Sequence, residues 1–188
     1  MNAVTPRTIV KRKKSLRENG LLLVPSLYDI FVAQQDTLLE HPRKIDGLHA
    51  MRLSGKPLRY VMEVYASVFG RQFAECLEEI KLLLDELGRV HDSDVLIVKL
   101  RDHLLQVQML NRVVRERSER YALKPVQTVI ANVRLDRARF YAQACTRVRR
   151  WKRTRFRTRL VRSMLNTRRS TGRASRIIRT RGPKQKRR

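Results

Sequence analysis

Residues 46–69 read DGLHAMRLSGKPLRYVMEVYASVF, and this stretch decides the fold. Its apolar side chains recur every three or four residues, which is the spacing of one face of an α-helix. They are Leu48, Met51, Leu58, Met62, Tyr65 and Phe69. The stretch therefore predicts an amphipathic helix that buries one face, with Asp46 as its N-cap. Pro57 removes a backbone hydrogen bond from the helix, so we expect a bend at that residue.

A row of cations lies beside this apolar face and is called the cationic row below. Its members are His49, Arg52, Lys56 and Arg59, with Glu63 at its end. At about 100° per residue, these side chains fall within an arc of about 80°. The row is unusual because residues 21–125 contain equal numbers of basic and acidic residues. It spans about 15 Å of helix, which suits a chain of phosphates better than a single phosphate. A helix face that only contacts water is the alternative.

The rest of the chain has the same helical periodicity and contains no pattern typical of a strand. We expect further helices over residues 25–41, 71–88, 92–121 and 125–151, with Phe156, Leu160 and Met164 extending the last one. Gly88 would end one helix, and Asp92 and Asp94 would cap the next. The sequence therefore predicts an all-α fold, an antiparallel bundle of about five helices.

The positive charge of the chain lies mainly outside this bundle. The net charge of +26 arises from residues 1–20 and 126–188, since the segment between them is neutral. We expect a basic flexible arm over residues 1–20, the bundle over 21–166 and a basic disordered tail over 167–188. Such a chain attracts polyanions, but net charge alone does not identify which polyanion.

Cysteine content and hydropathy limit the class of protein. Cys76 and Cys145 are too few and too far apart for a disulfide framework or a cysteine zinc site, so we expect buried thiols in a reducing cytoplasm. No apolar run approaches the ~20 residues that a membrane span needs. We expect no cofactor, since no glycine-rich phosphate loop or paired catalytic carboxylates stand out.

The stretch around His91 and Asp92 allows a metal site. A His-Asp pair is typical of one class of helical metal-dependent phosphohydrolases. If this chain held a metal in the same way, His49 and Asp136 would be further ligands. Capping explains Asp92 and Asp94 without a metal, so our interpretation is a protein that is not an enzyme and holds no metal.

Two blocks of sequence carry a resemblance to a known family. Residues 48–52, 56–60 and Glu63, followed by Leu87-Gly88 and His91-Asp92-Ser93-Asp94, resemble the conserved histidine α-helical domain, or CHAD. This resemblance implies an all-helical fold that binds inorganic polyphosphate through basic side chains, and an association with polyphosphate granules. It also implies that the four cations of the cationic row are the matching site positions.

The chain departs from the family pattern in one respect that bears on assembly. The family unit resembles two similar bundles related by a pseudo-twofold axis, whereas this chain has one cationic row. Either one half works alone or two chains pair as a homodimer.

An arginine-rich stretch over residues 134–162 offers a second partner. Basic helices with interspersed aromatic residues bind nucleic acids through phosphate contacts and base stacking. Phe140 and Trp151 also fit the buried face of the last helix, which weakens that alternative. Three cations of this stretch are candidates for extending the polyphosphate surface: Arg134, Arg137 and Arg147.

Overall fold

A computed structural model of the chain describes residues 10–41 and 44–166, and these residues form helices and turns without any strand. The helices are α1 (Leu16–Val32), α2 (Gln35–Glu40), α3 (Ile45–Phe69), α4 (Arg71–Val113), α5 (Lys124–Arg153) and α6 (Phe156–Leu165), with a 3₁₀ turn at Arg117–Glu119. Five of these helices have at least ten residues, so the predicted all-α bundle is confirmed. No helix in the described ranges is both long and apolar enough to cross a membrane.

Side-chain pairs show that α3, α4 and α5 run antiparallel. Along α3 and α4, Glu63 contacts Lys81 and Arg59 contacts Asp85. Along α4 and α5, Arg147 pairs with Glu86 and Arg137 with Asp94. In both pairs of helices one residue number rises as the other falls, which is the arrangement expected for a bundle with short connections.

Helix α1 begins about ten residues earlier than predicted. Ser15 is its N-cap: the Ser15 hydroxyl accepts a hydrogen bond from the Glu18 amide at 3.2 Å, and the Glu18 carboxylate accepts one from the Ser15 amide at 2.8 Å. This capping box stabilises the helix start, so residues 16–20 are helical and not part of a flexible arm. Pro25 therefore lies inside the helix and not in its first turn. The arm and tail predicted for residues 1–9 and 167–188 lie outside the described residues.

The predicted break between two helices at residues 88–92 is wrong, because α4 is a single helix of 43 residues. The residues expected to cap a new helix have other roles. The Ser93 hydroxyl donates to the Arg89 carbonyl oxygen at 2.8 Å, and the Asp94 carboxylate accepts hydrogen bonds from Arg137. Helix α4 ends at Val113 and not near Tyr121.

The start of α3 also differs from its prediction. The helix begins at Ile45, Lys44 occupies the N-cap without a side-chain hydrogen bond, and Asp46 lies in the first turn. The carboxylate there complements the helix dipole instead of capping a backbone amide. The helix continues through Pro57, and the bend predicted there stays a prediction.

Helix α5 starts with Pro125 in its first turn, as predicted, and ends in a turn that brings α6 back onto the core. Arg155 has φ 48° in this turn. The rings of Trp151 and Phe156 stack at 4.3 Å, and both are buried. Cys76 and Cys145 are also buried, as predicted, and burial raises the pKa of the Cys76 thiol.

Gly55 marks the closest approach of α3 to its neighbours. A Cβ atom at Gly55 would collide with Leu84 and would lie 2.7 Å from the Phe31 ring, whereas one at Gly88 would meet only Arg52 Nε at 3.6 Å. We expect Gly55→Ala to lower the free energy of unfolding by about 1 kcal/mol or more through overpacking. Gly88→Ala should raise it by about 1 kcal/mol through helix propensity. Urea unfolding followed by circular dichroism measures both, and a stabilised Gly55→Ala protein would contradict the packing argument.

Candidate functional site

The cationic row lies at the edge of α3 that faces α4, and three of its members line a groove between the two helices. The groove has a volume of about 330 Å³. Arg52, Lys56, Arg59 and Tyr60 line it from α3, and Leu84, Asp85, Gly88, Arg89 and Asp92 line it from α4. Four cations thus face two carboxylates, which leaves the groove positively charged.

Arg59 is held in place by neighbouring carboxylates. Its Nε donates to Glu63 Oε1 at 3.0 Å, and its Nη1 lies 4.0 Å from Asp85 Oδ1. The hydrogen bond that Arg59 donates to Glu63 raises the pKa of Arg59 above its ordinary value. Lys81 Nζ lies 3.8 Å from the same Glu63 oxygen. Glu63 therefore orients Arg59, and Nη1 of Arg59 lies toward Asp85 on the groove wall.

Arg52 and Lys56 differ from Arg59 because neither makes an ion pair within residues 10–41 and 44–166. Both side chains are half-buried, so their charges lie at the groove and are only partly solvated. The missing side chain of Gly88 leaves room for Arg52 Nε beside α4. Arg89 of α4 is exposed at the same groove and likewise makes no ion pair among the described residues, so these three cations are available to an anion.

His49 lies at the start of the row and contacts His91 of α4. The two imidazole rings stack with their centroids 4.5 Å apart and their planes at 29°. His49 Nδ1 is buried and has no hydrogen-bond partner within the described part of the protein. His49 and His91 belong to the two sequence blocks that carry the family resemblance. They are 42 positions apart in the chain, and the stacking brings them together. His49 does not line the groove itself.

The four residues considered as metal ligands do not form a cluster. Asp136 pairs with Arg139 at 3.1 Å and its side chain is exposed, whereas Asp92 faces the groove. No group of three or more histidine, cysteine or acidic side chains suited to a metal ion occurs among the described residues.

Arg89, Asp85 and Asp92 belong to the groove, but the sequence interpretation missed them. The predicted helix break at residues 88–92 separated these residues. In the continuous α4, Asp85, Arg89 and Asp92 lie on one face at steps of four and three residues. The Arg89 guanidinium also lies 4.9 Å from the centroid of the Phe140 ring, and Arg139 lies at the same distance. The signal available in the sequence was the helical spacing of 85, 89 and 92.

The three candidate cations of α5 do not line the groove. Arg147 donates two hydrogen bonds to Glu86, at 3.0 and 2.6 Å, and Arg137 donates to Asp94. The side chains of Arg147 and Arg137 are only 20% and 18% exposed. These ion pairs hold α5 against α4, and Glu86 raises the pKa of Arg147 through the hydrogen bonds. Arg134 is exposed.

A larger cavity of about 550 Å³ lies at the other end of the bundle, between α6 and the start of α4. Arg155, Arg159 and Arg162 line it, together with Glu75 and Glu79. Glu79 accepts hydrogen bonds from Arg159 and from Trp151 Nε1. Three cations and two carboxylates line this cavity, so its net positive charge is smaller than that of the groove, which four cations and two carboxylates line.

The fold and this groove define a helical bundle with a positively charged groove. The family model of the CHAD domain matches residues 2–101, which is more than half of the 188 residues. The chain therefore belongs to the CHAD family, which is associated in general with polyphosphate binding. The match extends through α1, α2 and α3 and most of α4, so it contains the whole groove. No curated protein and no solved structure matched the chain significantly.

Proposed function

We propose that this protein binds inorganic polyphosphate in the groove between α3 and α4, without chemical reaction, and associates through it with polyphosphate granules in the cytoplasm. The observation that carries this proposal is the pair of half-buried cations, Arg52 and Lys56, that no carboxylate of the described chain neutralises. A polyanion supplies the counter-charge that they lack.

The groove suits an extended anion. Arg52 and Arg59 are seven residues apart, or about 10 Å along the helix, with Lys56 between them. Guanidinium groups bind phosphate oxygens through a planar fork, and an ammonium group acts as a point charge. On the opposite wall Asp85 and Asp92 repel phosphate and Arg89 attracts it, so the α3 side is the more favourable wall for the anion. His49 continues the row beyond the groove, where its imidazole ring stacks on His91.

The basic extensions assist this binding by diffuse attraction. Residues 126–188 carry most of the net charge, and such charge raises the local concentration of any polyanion. Release of counterions from the ligand makes binding of this kind weaken steeply as salt rises.

Nucleic acid is the second candidate ligand, and the positions of the aromatic residues argue against it. Trp151 and Phe156 are 3% and 1% exposed, so neither can stack on a base. Phe140 is half-buried, with Arg89 and Arg139 beside its ring. Phosphate contacts from the exposed arginines of α5 remain available to nucleic acid.

A competition experiment separates the two ligands. Fluorescent polyphosphate bound to the full chain is titrated with unlabelled polyphosphate or with duplex DNA at ~0.15 M salt, where the Debye length of about 8 Å damps diffuse attraction. We expect DNA to need at least about tenfold more phosphate than polyphosphate for half-displacement, a difference of about 1.4 kcal/mol. Equal displacement per phosphate would mean that generic basicity, and not the groove, binds the ligand.

A further inference from the structure

The second half of α4 extends past the N-terminal end of α3. Helix α3 begins at Ile45, and His49 near that end stacks on His91. Because α3 and α4 are antiparallel, residues 95–113 of α4 continue beyond the start of α3. These 19 residues of helix are about 28 Å long. Helix α5 covers one side of them, where Val107 and Ile130 are buried.

The face of α4 that packs on α3 continues along this extension as an exposed apolar surface. In the first half of α4 that face consists of the buried residues Phe73, Leu77, Ile80, Leu84 and Leu87. At about 100° per residue, the same arc of about 80° contains five apolar residues of the second half. They are Val95, Val98, Leu105, Met109 and Val113, here called the distal stripe, and they are 40%, 53%, 58%, 65% and 78% exposed.

The distal stripe has the spacing of a helix-packing seam. Four stripe residues, at 95, 98, 105 and 109, together with Asp102 and Arg112, follow one another at alternating steps of three and four residues, which is the repeat of paired helices. Exposed apolar residues at this repeat mark a contact with another helix. No helix of the described chain covers it, as its exposure indicates.

We propose that the end of α4, with Leu105, Met109 and Val113 of the distal stripe, packs antiparallel against the same segment of a second copy of this chain. In such a pair, Leu105 lies opposite Met109 of the second copy. The next layers on either side then place Asp102 opposite Arg112 of that copy, and the twofold axis repeats each contact. Asp102 and Arg112 are both exposed, and neither makes an ion pair in the described part of one chain.

The charge distribution favours a second copy over other occupants. Residues 103–111 contain no Asp, Glu, Lys or Arg, so two copies meet at their centre without like-charge repulsion. A polyanion finds no cation in this central segment. A strongly charged partner protein would meet only one acidic residue, Asp102, and one basic residue, Arg112. A second copy of this chain pairs with both.

The dimer leaves the polyphosphate groove open. Gly88 and Leu105 are 17 residues apart on α4, which is about 25 Å. Each dimer therefore presents two separate grooves, and dimerisation does not depend on the ligand or on the function proposed for the groove.

Sedimentation equilibrium of the full chain without polyphosphate tests the proposal. We expect a dimer at about 100 μM protein, a concentration that exposes weak self-association. Leu105→Glu with Met109→Glu should give a monomer with the same circular dichroism. The matched control, Val64→Glu with Leu82→Glu, places the same two acids on exposed apolar positions outside the stripe and should remain a dimer.

A charge exchange tests the register independently. Asp102→Arg alone and Arg112→Asp alone should each weaken the dimer, because each places like charges opposite one another. The double variant D102R/R112D should restore it. A monomeric wild-type chain, a dimer that survives the two glutamates, or a double variant that stays monomeric would each overturn the proposal.

Discussion

We expect that replacing Arg52 and Lys56 together by alanine weakens polyphosphate binding about 100-fold. Each side chain supplies a hydrogen bond to a charged group, worth about 1.5 kcal/mol or more, so the loss of both amounts to about 3 kcal/mol. Neither substitution breaks an ion pair within the described residues, and alanine favours the helix. Fluorescence anisotropy with labelled long-chain polyphosphate at fixed salt measures the change.

The matched control removes the same charge from a different surface. Arg150 and Arg153 are exposed on α5 and make no ion pair within the described part of the chain. Arg150→Ala with Arg153→Ala should weaken binding by less than about fivefold, through diffuse attraction alone. If this pair has the larger effect and R52A/K56A has little, the arginine-rich surface is the binding site and the groove is not.

Glu86→Leu lowers the free energy of unfolding by about 2 to 3 kcal/mol. Glu86 and Arg147 form a largely buried ion pair, with 13% and 20% of their side chains exposed. Removing the carboxylate leaves the guanidinium without its partner, a change worth about 3 to 5 kcal/mol when fully buried and less where water still reaches the pair. At 188 residues, we expect the Tm to fall by about 5 to 10 °C.

A double variant distinguishes a structural role for Arg147 from a role in phosphate binding. Glu86→Leu with Arg147→Met replaces both charges by apolar groups and should recover stability to within about 1 kcal/mol of the wild type. Polyphosphate affinity should stay within about twofold, because charge near a partner carboxylate contributes little to ligand binding. A large loss of affinity in a stable double variant would show that Arg147 contributes to polyphosphate binding.

The helices and their buried faces follow closely from the sequence, with errors at specific ends. Periodicity located α3 and α5 because a buried helix face repeats every three or four residues. The start of α1 was misplaced because Pro25 looked like a first-turn residue, although Ser15 and Glu18 carried the capping-box signal. The division of α4 was wrong because Ser93 and Asp94 bond to Arg89 and Arg137 instead of capping a helix.

The candidate site was only partly predictable. Arg52, Lys56 and Arg59 share one helix, so their common face follows from their spacing. Arg89 enters the groove from another helix, and its place depends on how α3 and α4 pack. The roles of Arg137 and Arg147 depend on Asp94 and Glu86, which lie 43 and 61 positions away in the chain.

The sequence by itself determined that this chain forms amphipathic helices, that it carries the CHAD blocks, and that cations share one face of α3. These properties depend on residues within one or two helical turns of each other. The tertiary structure decided which of those cations are neutralised and which remain available: Arg59 meets Glu63 and Asp85, whereas Arg52 and Lys56 face the groove without a carboxylate partner in the described chain. The physical reason is that Coulomb interactions depend on distances in space, which helix packing sets and local sequence does not.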